Sequence, residues 1–234
     1  MRTLIYVPVI HTSADLGSLA KDVADRGILD LGEDVWERHI SAVERFWNAV
    51  SNYFDSTDVS GMKIYQDGML ADGEVGQRIV DESAKAGSRN YELVARLLKR
   101  GAVLVKTEDF KLVKQERDSL VALTQARLLG QKITEYIKYM LVKGGLLRKR
   151  DKFIAKSIDE SLGQGEAGII FIGAYHNIKN RLPRNIRIIE IKDARKVKEY
   201  QTLLPFCNKH KERFDELADY LVSEIGQPFY LIRK

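Results

Sequence analysis

Gly168-Ile169-Ile170-Phe171-Ile172-Gly173-Ala174-Tyr175-His176 is the stretch on which the fold assignment turns. Four large apolar side chains run without a polar interruption between two glycines. That length suits a strand and is too short for a helix, and the lack of alternation means both faces are covered. Strands buried on both faces belong to parallel sheets whose faces carry helices. The run stops at Tyr175, His176 and Asn177. Ligands of open parallel sheets gather beyond the carboxyl ends of the strands, so His176 is the first candidate for chemistry.

Working outward, Leu4 to Ile10 is a second strand of the same kind, followed by His11, Thr12 and Ser13. Met62-Lys63-Ile64-Tyr65-Gln66 leads to Asp67, and Ala102 to Lys106 leads to Thr107, Glu108 and Asp109. Ile186 to Ile191 and Phe229 to Ile232 complete the set of strands. Helical periodicity fills the intervals. From Trp36 to Phe54 it places Val43, Phe46, Trp47 and Val50 on one face. Val75 to Lys99 reads as two helices joined at Ala86-Gly87-Ser88, where the glycine ends one and the serine caps the next. The longest helical patterns, 108–141 and 146–162, are consecutive, with Gly144-Gly145 as the break. They form a helical hairpin that serves as a cap or lid. A last helix spans Lys209 to Ile225.

Strands alternating with helices specify an α/β protein, with a mostly parallel sheet flanked by helices. There is no Pro/Gly/Ser-rich linker and no fixed-period repeat, so residues 1–234 read as one domain. Hydrophobic content of 44% with 30% charge is ordinary globular composition. The amino terminus reads as a buried strand and not as a signal peptide, because its apolar run breaks at Pro8 and His11. No run approaches the ~20 apolar residues of a membrane span. One cysteine, Cys207, leaves no internal disulfide. The expectation is a soluble, cytoplasmic protein. Its formal charge of +5 comes from scattered clusters such as 148–152 and 209–211, which argues against a nucleic-acid partner and leaves oligomerisation open.

Two of the four histidines, His11 and His176, directly follow apolar strands, and Asp67, Glu108 and Asp109 follow two others. Two imidazoles and a carboxylate can hold a divalent ion of the zinc, manganese or cobalt type with an open position. Such an ion lowers the pKa of bound water to ~7 and makes hydroxide available at neutral pH. Without a metal, one histidine tuned by a carboxylate can act as general base. Each residue also has a structural explanation. Acids in a first helical turn are favoured by the helix dipole, with Thr107 as cap, and Asp67 before Gly68 suits a turn. Arg150 can bind a carboxylate or phosphate bidentately, or can decorate a charged helix. Gly163-Gln164-Gly165 lacks the lysine of a phosphate loop, and no HExxH, CxxC or Gly-x-Ser-x-Gly occurs.

The segment from Arg148-Lys149-Arg150-Asp151 through Phe153-Ile154-Ala155 to Gly173-Ala174-Tyr175-His176 resembles the TraB/TIKI superfamily, which is similar in turn to the erythromycin esterase and ChaN-like proteins. Those proteins carry an arginine-containing helix before a strand ending in Gly-x-x-His, and an earlier Gly-x-x-His after the first strand. Here Pro8-Val9-Ile10-His11 stands in that earlier place, with proline where the family has glycine. Asp67 matches the family's acidic residue after the second strand. The resemblance implies a hydrolytic site, metal-dependent as in the TIKI-like proteases or histidine-centred as in the esterases.

The sequence therefore leads to a hydrolase whose catalytic centre is His11, His176, Glu108 and Asp67. Arg150 binds an anionic small-molecule or peptide substrate, and a divalent metal, where present, is held by His11, His176 and Asp67. The competing class is a non-enzymatic domain that uses the same cleft to bind or sense a small anion.

Overall fold

A computed structural model describes residues 1–226 apart from 13, 16–19 and 126–128, together with the side chains outside those gaps, 20, 22, 23, 26, 120 and 123–142. Five strands form one all-parallel sheet in the order β3-β2-β4-β1-β5. They are β1 (Arg2–Val9), β2 (Lys63–Gln66), β3 (Val103–Val105), β4 (Ala167–Gly173) and β5 (Ile186–Glu190). The chain is an α/β domain with helices on both faces of the sheet. The strand expected at Phe229 to Ile232 lies outside the described residues.

The uninterrupted apolar runs behave as their composition requires. In β4, Ile169 and Phe171 turn to one face and Ile170 and Ile172 to the other, and all four are fully buried. The first face is covered by α2 (Glu33–Asp55), α4 (Arg89–Lys99), α7 (Ala194–Leu203) and α8 (Lys211–Val222), through side chains such as Phe46, Leu93, Val197 and Leu217. The second is covered by the end of α6 (Leu129–Ser161). Its Ile154 and Ile158, one turn apart, reach Leu4, Tyr6 and Ile170. α3 (Gly73–Lys85) precedes α4, and Ser88 caps α4 by accepting the Tyr91 amide at 3.3 Å.

Three helical expectations change. α1 (Ala20–Leu31) and α7 are additional helices, each with too few apolar residues to stand out by periodicity. Gly27 in α1 lies against Trp36, whose ring would be 2.4 Å from a side-chain β-carbon there, so a residue that weakens the helical signal is what lets α1 approach α2. The expected break within the hairpin is absent: α5 covers Phe110–Gln125, and α6 runs straight through Gly144-Gly145. Each glycine costs a helix about 1 kcal/mol, which burial of Leu146, Ile154 and Ile158 further along α6 offsets.

The sheet order sets the site. β4 lies between β1 and β2, with Val9 opposite Gly173 and Gln66 opposite Phe171. His11, Asp67 and His176 therefore leave three adjacent strands at the same edge. Trp47 of α2 fixes the first of these loops, donating its indole N–H to the Ile10 carbonyl at 3.0 Å. Trp47→Phe strands that buried carbonyl, and we expect a stability loss of about 1–3 kcal/mol in urea unfolding. An unchanged midpoint would mean that the carbonyl finds another donor.

Candidate functional site

Each side chain at this edge is placed by a local feature of the backbone. Asp67 occupies a tight turn closed by the Met69 amide on the Gln66 carbonyl at 3.0 Å, with Gly68 at φ +78°. Its amide continues the ladder to the Phe171 carbonyl at 2.9 Å. The Met69 carbonyl then accepts the amides of Thr107 (3.0 Å) and Glu108 (2.9 Å), which brings the loop after β3 beside the loop after β2. Thr107 accepts the Gln66 amide at 3.2 Å. Capping falls to Asp109, whose carboxylate takes the amides of Lys111 (2.9 Å) and Leu112 (3.1 Å) at the start of α5.

His176 sits in the turn that follows β4, its amide on the Gly173 carbonyl at 3.0 Å. The Gly173 amide donates to Asp67 Oδ2 at 3.1 Å, and a β-carbon on residue 173 would crowd that same oxygen at 3.2 Å. The Gly-x-x-His spacing thus has a physical reason here. The glycine gives the carboxylate a hydrogen bond and the space to receive it, and the histidine three residues later in the turn swings back toward it.

His176 has a carboxylate at each ring nitrogen. Nδ1 meets Asp151 Oδ1 at 2.6 Å and Nε2 lies 3.4 Å from Asp67 Oδ2. Asp151 also accepts the Asn177 amide at 3.1 Å. Burial opposes protonation of the ring, but Asp67 and Asp151 outweigh it and raise the His176 pKa to about 10. Asp67 moves the other way. Burial disfavours its charge, yet His176, Arg150 and His11 together hold it well below the usual carboxylate range.

Arg150 is turned inward. Its guanidinium donates to Asp67 Oδ1 at 2.6 Å, to Glu108 Oε1 (3.1 Å from Nε) and to Glu116 of α5. With only 6% of its surface exposed, it is engaged by the protein's own carboxylates and not offered to solvent. Glu108 is fully buried, and its Oε2 has no hydrogen-bond partner among the described residues. That burial pushes its pKa up to about 7 despite the pull of Arg150.

His11 lies on the same edge with its side chain about half exposed. Its Nδ1 is 3.9 Å from Asp15 Oδ2, and Asp15 is itself held by the Thr12 amide at 2.6 Å, the Thr12 hydroxyl at 3.0 Å and the Ser88 hydroxyl. His11, Asp67, Glu108, Arg150 and His176 therefore all belong to one edge, with Asp67 linking the histidine and arginine halves. Asp151, Asp15 and Glu116 are partners the sequence reading missed. A carboxylate four residues after His11, and one adjacent to Arg150 on the same helix, were the available signals.

The metal expectation can be set against these donors. Two ligands about 2.1 Å from one tetrahedral ion stand roughly 3.4 Å apart, the separation of His176 Nε2 and Asp67 Oδ2. The Asp151 contact at Nδ1 is also the kind that fixes a ligating histidine. Among the described residues, no three His, Cys, Asp or Glu side chains already converge at metal-holding distance, so His11 stands outside the pair. Nor does any described helix have the length and apolarity to cross a membrane.

No known protein family, curated protein or solved structure matches this chain, and the site's chemistry is read from its own side chains.

Two measurements test the electrostatics. The His176 ring should titrate near pH 10 by NMR, and Asp151→Asn should lower that midpoint; a wild-type midpoint at the ordinary ~6.5 would break the assignment. Because the folded pKa is raised, the stability His176 contributes is complete below ~6.5 and is lost as pH rises through about 10. Glu108 follows the same sign in a lower window, complete below ~4.5 and lost as pH passes about 7. Glu108→Gln, which carries no proton to lose, should therefore gain stability relative to wild type between pH 5 and pH 8. A constant difference across that range would show that Glu108 does not titrate there.

Proposed function

We propose that this edge is a hydrolytic centre. The observation that carries the reading is His176 bracketed by Asp151 and Asp67 at the end of β4, beside the half-exposed His11 at the end of β1. His11, the one of the two open to solvent, takes the proton from the attacking water. Asp15 orients it through Nδ1. His176 stays an imidazolium, with Asp151 fixing its ring, and lends fixed positive charge to the wall where negative charge develops in the transition state. Asp67 joins the two halves and keeps the imidazolium from being driven neutral by burial. Arg150 acts as a positioning residue that holds Asp67 and Glu108 in place. A metal-dependent route would be an alternative to this one: His176 would have to give up its Nε2 proton, and His11 would have to join His176 and Asp67, to hold a divalent ion of the manganese, zinc or cobalt type, which would supply hydroxide at neutral pH.

The competing reading, a domain that binds a small anion without turnover, relied on Arg150 as the recogniser. The engagement of that guanidinium by Asp67, Glu108 and Glu116 weighs against it.

Ester, peptide and phosphoester panels, run with and without added manganese, zinc and cobalt, test the proposal. The expected outcome is turnover that falls at least 100-fold in both His11→Ala and His176→Ala, the scale of a general acid–base group. Turnover that survives either substitution would overturn the two-histidine mechanism. Metal content of protein purified without an affinity tag separates the metal-dependent route from the metal-free one.

A further inference from the structure

The outer flank of α6 and the chain linking β4 to β5 form a groove on the second face of the sheet. Lys152, Ala155 and Lys156 of α6 line it together with Asn180, Arg181 and Pro183. Basic residues about thirty positions apart in sequence are thereby brought together. The scatter of positive charge along the chain, which argued against a nucleic-acid partner, is reduced at this place by folding.

The charge of the groove is not cancelled from within. Asp159 is the one carboxylate among its lining residues. Arg2, buried at the start of β1, takes that carboxylate, donating to Asp159 Oδ1 at 2.8 Å and to the Asp159 carbonyl at 2.9 Å. The same guanidinium donates to Asn185 Oδ1 at 2.6 Å, so it ties α6 to the segment after Pro183 and fixes the two walls against each other. Lys156 pairs with Glu160 at 3.6 Å and is set aside as compensated. Lys152 and Arg181 are exposed and form no ion pair with a carboxylate among the described residues. The same holds for Lys149, one turn before Lys152, and for Arg184, next to Pro183.

Four such cations repel one another, and a partner with regularly spaced negative charge relieves that repulsion. The shape of the surface selects among anionic partners. It is a groove about 10 Å long between Lys149 and Lys156, the length of about three phosphates along one strand of a duplex. A flat lipid surface does not enter a groove, and Ala155 and Pro183 give it no large apolar side chain to insert among acyl chains. Two arginines suit phosphate, which their planar forks hold bidentately. No aromatic side chain lines the groove, so bases find nothing there to stack on.

We infer that this groove binds the phosphate backbone of a nucleic acid without reading its sequence. Lys149, Lys152, Arg181 and Arg184 contact the phosphates, and Arg2 acts from beneath as a positioning residue. The surface stands apart from the hydrolytic reading of the His176 edge and does not depend on it.

The test is fluorescence anisotropy of a labelled short duplex of mixed sequence with the full chain, repeated over a series of salt concentrations. The logarithm of the affinity should fall with the logarithm of salt at a slope of roughly −3, the value for three to four neutralised phosphates. Lys152→Gln/Arg181→Gln should weaken the Kd at least tenfold at low salt and make that slope shallower by about 2. Lys85→Gln/Lys99→Gln removes the same charge from exposed positions on α3 and α4 and should leave both values unchanged. A duplex of scrambled sequence should bind equally well. No binding, an unaltered slope in the first double variant, or an equal loss in the charge-matched control overturns the groove. A strong preference for one sequence overturns backbone recognition. Vesicles containing phosphatidylserine, or polyglutamate, bound more tightly than the duplex and with the same sensitivity to Lys152→Gln/Arg181→Gln would assign the groove to a membrane or an acidic protein and overturn the proposal.

Discussion

Arg150 is a charge taken out of water, and the architecture around it follows from that cost. Removing a guanidinium from solvent is tolerable only where carboxylates and hydrogen bonds replace the lost hydration. Here the replacements come from the loop after β2 (Asp67), the loop after β3 (Glu108) and α5 (Glu116), while Arg150 itself belongs to α6. One side chain thereby ties the helical hairpin to two strand ends. Apolar packing of Ile154 and Ile158 gives α6 its attachment to the sheet but no fixed register along it. The hydrogen-bonded charge one turn earlier supplies the register.

The same chain of charges reaches His176 through Asp67. Asp67 saturates both of its oxygens, one on Arg150 and the other on the Gly173 amide and His176. Four carboxyl groups, Asp67, Glu108, Glu116 and Asp151, face only two cations, Arg150 and His176. The molecule meets that imbalance at Glu108, the most deeply buried of the four, where a proton is held up to about neutral pH. The unpartnered Oε2 is consistent with this, since an ionised oxygen left without a donor at full burial would be costly. The arrangement leaves His11, about half exposed, as the imidazole of this edge that solvent reaches.

Most of the fold was legible because burial on both faces writes itself into composition. β1 and β4 needed no alternation to be recognised, only unbroken β-branched and aromatic runs. α2, α3, α4 and α8 were legible from the spacing of apolar residues and from Ser88 as a cap. α1 and α7 were not, since α7 buries only Ala194, Val197 and Tyr200 and a glycine interrupts α1. The glycine pair at 144–145 misled for the opposite reason, because local propensity there is overridden by the length of the helix around it.

By itself, the sequence determined the α/β class and put His11, Asp67, Glu108 and His176 at strand ends, since a residue that follows a buried strand has only the sheet edge to occupy. It could not determine which strands are neighbours. The tertiary structure decided that β4 lies between β1 and β2, and this alone brings His176 between His11 and Asp67. It also decided the use of Arg150, which the sequence offers equally to solvent, to a substrate or to the interior. A guanidinium surrounded by three carboxylates from other elements turns inward, because Coulomb attraction and hydrogen bonding act on distance in space and leave no mark on spacing along the chain.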